Sequence, residues 1–197
     1  MAVSLSAETR RDLLSLARLS IESFFRAEAE PRLASDRADL FGQQRALFVT
    51  LRKSGNLRGC IGTLAPDGDV SRTVPRFARR AAFEDPRFPP LEPDELPDCE
   101  IEISILTPPE PVRDPAQIVV GRDGLIIEAR GRSGLLLPQV ATEWGFDREA
   151  FLGEVARKAG LPLDAWRHPE AKLWTFQAEV FGEGELGQMR ATSESEA

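Results

Sequence analysis

Apolar positions near the start of the chain recur at helical spacing. Leu13, Ala17, Ile21 and Phe24 form one stripe, while Arg10, Arg11, Arg18 and Glu22 lie largely off it. The pattern predicts a helix over 7–27 with Ser6 as its N-cap and one face on a core. The polar stretch Glu30 to Phe41, which contains Pro31, predicts a connector. The period then shortens. Residues 46–51 (Ala-Leu-Phe-Val-Thr-Leu) read as a strand, 53–56 as a turn and 57–64 as the returning strand. Pro66 to Asp69 break that strand, and Asp69 or Ser71 can cap a helix ending near Phe83. Pro75 should shorten or kink this helix unless it lies in the first turn.

Three prolines make 85–90 (Asp-Pro-Arg-Phe-Pro-Pro) a stiff, extended connection. Residues 99–106 alternate, with Ile101, Ile103 and Ile105 on one face and Glu100, Glu102 and Ser104 on the other, as in a half-buried strand. A second proline-rich connector (Pro108 to Pro115) leads to a second hairpin, 124–129 and 133–137 about a turn at 130–132. Pro138 opens a short helix, Asp147 caps a firmer one that Gly160 ends, and 172–181 is the last strand. Beyond it runs a polar tail, expected to be frayed at its end.

Hairpins interspersed with helices favour an α+β fold with a mixed, largely antiparallel sheet over a parallel doubly wound one. Hairpin, glycine-marked strand and helix occur in that order twice, at 46–83 and 124–160. This suggests an internal duplication closing one curved sheet.

Composition narrows the function classes. At 197 residues, 42% hydrophobic and 29% charged, the chain can bury a real core. The 25 basic and 32 acidic residues give net −7, which disfavours general nucleic-acid binding, as does the lack of aromatics interleaved with basic residues. Cys60 and Cys99 are too few for a disulfide framework or a structural zinc site, and with a single histidine, His168, a histidine-rich catalytic metal site is not expected. No cofactor-binding fingerprint is present. With no signal-length apolar stretch and no candidate span, the expected location is the cytoplasm, with both thiols reduced.

Candidate chemistry gathers at 57–62 (Leu-Arg-Gly-Cys-Ile-Gly). On an extended strand Arg58, Cys60 and Gly62 share a face, and a guanidinium beside a thiol favours the nucleophilic thiolate. Gly59 and Gly62 would let a ligand or another backbone approach closely. A buried structural cysteine and glycines marking a bend are the alternative. Glu102 could act as acid, base or partner to Arg58 if its strand neighbours that of Cys60, or belong to a solvated face. Arg87, beside Phe88 among the prolines, could hold an anion or anchor a loop. Gln139, at a helix start, could donate to a ligand or satisfy local backbone. His168 reads as a loop residue.

The hexapeptide 57–62 resembles the signature of the AMMECR domain family, whose bacterial and archaeal members are called AmmeMemoRadiSam system protein A. Similar blocks follow in family order: 85–91, 100–106, 124–127, 134–140, 158–162 and 176–181. The resemblance implies a single domain over 1–183 made of two intimate subdomains around a barrel-like sheet, with 184–197 as a tail. It also implies a cleft bordered by the signature strand, where Arg58, Gly59, Gly62, Arg87 and Gln139 would bind a small molecule or partner segment. Memo-type and radical SAM proteins would be its companions in a modification pathway. The family's activity is unsettled, so an accessory binding role and an enzyme with Cys60 as nucleophile, assisted by Glu102, both stand as expectations.

Overall fold

The computed structural model describes residues 5–31 and 44–184. Most of the connector expected over 30–41, and the tail beyond 184, lie outside the described residues. The chain forms two compact units: one runs to Ile105 and resumes at Glu179, and the other is Leu106–Ala178.

In the first unit, α1 (Ala7–Phe25) starts at Ser6, whose side chain accepts from the Thr9 N–H. Leu13, Ala17 and Ile21 are fully buried, but Phe24 is half exposed. It stacks on Phe83 (centroids 4.0 Å) beneath the Arg79 guanidinium. Ser20 and Ser23 are buried instead, because each finds a partner: Ser20 donates to the Pro75 carbonyl, and Arg79 donates to both hydroxyls. Strands β1 (Leu47–Lys53) and β2 (Asn56–Thr63) are joined by Ser54-Gly55, both at positive φ, as a two-residue hairpin turn requires.

Helix α2 (Val70–Phe83) packs on α1, β1 and β2 and runs through Pro75 without ending. Pro75 is the sixth residue of the helix, past the first turn, and lacks the N–H that would bond back to Ser71. Burial of Val74, Phe77, Ala78 and Ala81 offsets that loss. β3 (Cys99–Leu106) pairs antiparallel with β1. The sheet order is β2-β1-β3-β8, with β8 (Ala178–Gly182) from the end of the described chain.

The second unit repeats this plan. β5 (Gly124–Ala129) and β6 (Arg132–Leu136) form a hairpin whose turn, Arg130-Gly131, also has positive φ at both residues. Helices α3 (Pro138–Glu143) and α4 (Arg148–Lys158) follow. With β4 (Glu110–Pro111) and β7 (Lys172–Phe176) the sheet order is β4-β7-β5-β6. Each unit also sets a hairpin glycine directly beneath a helix. Gly59 of β2 faces the Ala81 carbonyl of α2, and Gly134 of β6 faces the backbone of Val155 and Ala159 at the end of α4.

The class is α+β with two antiparallel sheets. The strands hydrogen-bond into these two ladders, one in each unit, where the sequence suggested one curved sheet. The single strand expected over 172–181 is β7 and β8, parted at Gln177 and belonging to different sheets. Gln177 bonds Thr107 twice: its carbonyl accepts from the Thr107 N–H (2.8 Å), and its N–H donates to Oγ1 (2.9 Å). No helix among the described residues is long and apolar enough to cross a membrane.

Candidate functional site

Among the described residues the signature strand β2 is the edge of its sheet, so one side of its backbone takes partners other than strands. Asp85, just past α2, supplies them. Its buried carboxylate accepts from the Cys60 N–H (2.9 Å), the Arg87 N–H (3.1 Å) and the Arg87 guanidinium (2.9 and 2.7 Å). Arg87 in turn donates to the Cys60 carbonyl (3.2 Å). Asp85 and Arg87 together thus cap both backbone groups of Cys60. These bonds, the Arg87 guanidinium foremost, hold the Asp85 carboxyl far below the usual carboxylate range.

Arg58 does not sit on the Cys60 face. Leu51 pairs with Gly59 and Arg52 with Leu57, so Arg58 is the extra residue of a β-bulge. A bulge re-aims its side chain. Its guanidinium pairs with Glu95 (2.9 and 3.3 Å) and donates to the Pro89 and Pro90 carbonyls (3.0 and 3.3 Å). Glu95 also receives Lys53 (3.0 Å) and the Glu92 N–H. Its pKa falls to about 2, mainly through Arg58. Arg58 and the Cys60 backbone therefore pin the two ends of the proline segment.

Gly59 is spent on packing, since a Cβ there would lie 2.1 Å from the Ala81 carbonyl oxygen. At Gly62 a Cβ would meet the Phe48 ring and the Leu47 carbonyl at 2.3 Å. Both glycines are close-approach positions, filled by protein.

The Cys60 sulfur is different. Cys60 is partly exposed, and its Sγ accepts from the Thr50 hydroxyl (3.3 Å). Thr50 is in register with Cys60 on one side and Glu102 on the other. The three polar side chains thus form one row across β2, β1 and β3 on the sheet face opposite Val49, Leu51 and Ile103. Glu102 lies two strand spacings from Cys60, roughly 9–10 Å, and within 3.9 Å of Arg52. The guanidinium beside Cys60 is that of Arg87, which is half exposed and stacks over Phe88 at 5.5 Å. Cys99 is buried, and burial pushes its thiol pKa up.

Of the residues singled out from sequence, Arg87 meets Cys60, Glu102 lies on the same sheet face with Thr50 between it and Cys60, and Arg58, Gly59 and Gly62 belong to the Cys60 strand. Gln139 belongs to the second unit, in the first turn of α3, where its carbonyl accepts from Thr142. His168 is also there, exposed, its Nδ1 accepting from the Glu170 N–H (3.4 Å). Among the described residues no cluster of three or more His, Cys, Asp or Glu could hold a metal ion.

Sequence reasoning missed Asp85, Glu95 and Thr50. An acidic residue two positions before Arg87 and directly before a proline is a turn signal that could have flagged Asp85. Thr50 is the only polar residue in the apolar run 46–51.

A family profile described as AMMECR1 matches residues 14–181. The chain belongs to the AMMECR1 family. Its AMMECR1 relatives include a protein of Methanothermobacter thermautotrophicus, 49% identical over 185 residues, which cover 91% of this chain and 96% of that one. A Thermococcus kodakarensis protein is 42% identical over 181 residues, covering 87% and 88%. The crystal structure of an uncharacterised Pyrococcus horikoshii protein superposes with a TM-score of 0.82 at 40% identity, covering 91% of this chain and 93% of that one. The α+β architecture described above is therefore shared with a solved AMMECR1 relative.

Proposed function

We propose that this AMMECR1 protein is a binding or accessory component of a cytoplasmic modification pathway in which Memo-type and radical SAM proteins take part. Its working surface is the polar face of the first sheet, where Cys60, Glu102 and Arg87 engage a small molecule or a partner segment and the buried Thr50 positions the Cys60 sulfur. One observation carries this reading: the in-register Cys60–Thr50–Glu102 row, with the Arg87 guanidinium beside Cys60. It offers a soft sulfur, a carboxylate and a cation on a rigid strand platform, with the buried Thr50 hydroxyl bonded to the sulfur. Binding sites favour such platforms because the groups are pre-positioned.

Proton transfer to or from a reacting group at Cys60 would use a base within hydrogen-bond reach. Glu102 is two strands away, and Asp85, held far below the carboxylate range by its four bonds, is a poor base. This favours binding over catalysis.

A thermal-shift screen of a metabolite library tests the reading on wild type, Cys60→Ser and Glu102→Gln. A ligand at 100 times its Kd stabilises by about 2.7 kcal/mol, a rise of roughly 5–10 °C for a chain this long. The expected result is a hit whose shift falls by half or more in both variants. A hit unaffected by either would overturn the assignment, and a covalent mass increment on Cys60 would favour the enzyme.

A further inference from the structure

The second unit has its own cavity, about 450 Å³ in volume, walled by α3, α4, β6 and the turn between the helices. Its apolar lining is Leu136, Val140, Trp144 and Phe146; Glu154, Arg157 and Lys158 complete it. That volume lies within the range of small-molecule sites.

Trp144 is the distinctive residue. It is the first residue past α3 and 72% exposed, far more than an indole needs to be in a folded chain. Its ring and that of Phe146 lie within 17° of parallel, centroids 6.4 Å apart. Two flat faces at a pocket mouth suit a planar apolar group.

The charges around the cavity are asymmetric. Arg157 is neutralised by Glu154, which accepts from its Nε (2.7 Å). Lys158, on the last turn of α4, has no ion-pair or hydrogen-bond partner among the described residues. Although the residue is exposed, burial around its ammonium lowers its pKa, as expected for a cation that lacks a counter-ion.

We propose that this cavity is a binding site for an aromatic carboxylate, whose ring lies against Trp144 and Phe146 and whose anion pairs with Lys158. The site is independent of the first-sheet surface, so its failure would leave that reading untouched. A volume of about 450 Å³ suits a free small acid better than a peptide strand.

1-Naphthoate and its neutral counterpart 1-naphthamide serve as probes, titrated into the full chain and followed by ligand-detected NMR and calorimetry. Wild type should bind naphthoate saturably, at least five-fold tighter than the amide. Lys158→Gln should erase that preference, leaving the amide affinity unchanged. Trp144→Ala should weaken both ligands at least five-fold. Both residues are exposed, so both variants should keep the wild-type unfolding midpoint. Equal affinity for acid and amide, binding indifferent to Trp144→Ala, or no saturation by 5 mM naphthoate would each overturn the proposal.

Discussion

Gly59→Ala should destabilise the protein by about 3 kcal/mol, at the upper end of overpacking penalties, when unfolding is followed in urea. The new Cβ would stand 2.1 Å from the Ala81 carbonyl oxygen. That oxygen belongs to the backbone of α2 and cannot rotate aside. Either α2 lifts from β2, exposing part of the Val74, Phe77 and Ala78 contact, or β2 shifts and strains its pairing with β1. Gly153→Ala in α4 is the matched control. Its Cβ would have ordinary contacts, 3.5 Å and longer, in a helix interior. There alanine should stabilise by about 0.5–1 kcal/mol. Two substitutions of opposite sign test whether close approach, rather than loss of glycine as such, governs position 59. An equal and small effect at both sites would refute the packing role of Gly59.

Asp85→Asn should cost about 3 kcal/mol at pH 7, because charge-assisted bonds to the Cys60 N–H and to Arg87 are lost together. The same substitution should also change the pH profile. The Asp85 pKa is lowered on folding, so the group stabilises above its unfolded value, about 3.9, and the contribution is lost as pH falls toward the folded value. Glu95 behaves alike, losing its contribution between 4.5 and about 2. Urea unfolding from pH 7 to pH 2.5 should therefore show a constant gap between wild type and Asp85→Asn down to about pH 4, and a narrowing gap below. A gap that stays constant through pH 2.5 would mean that Asp85 is not held as a low-pKa carboxylate.

The two predictions explain which part of the site was legible in sequence. Alternation at Ile101, Ile103 and Ile105, the Ser54-Gly55 turn and the Ser6 cap are local signals, and the elements they predict are present. Local signals fail where the deciding contact is distant in sequence. Arg58 was assigned to the Cys60 face by strict alternation, but a bulge opposite Arg52 turns it toward Glu95. Arg87, 27 residues beyond Cys60, takes the place beside it instead. The strand expected over 172–181 keeps its alternation through Gln177, so nothing in its pattern records a change of sheet. Phe24 satisfies the helical stripe and yet lies half exposed, packed against Phe83 and Arg79 and not buried with Leu13, Ala17 and Ile21. Glu102 was correctly placed on a polar strand face, but its neighbour is Thr50, with β1 between it and Cys60.

The six-residue signature therefore divides in two. Arg58, Gly59, Gly62 and the Cys60 backbone hold the proline segment, α2 and Phe48 in place, while the Cys60 sulfur remains as a group presented to a ligand. Site-resolved alkylation of the folded protein by iodoacetamide, read by peptide mass spectrometry, tests this division most directly. Cys60 should be modified while the protein stays folded, and Cys99 only after unfolding in urea. Equal protection of both thiols, or modification of Cys99 first, would contradict the account.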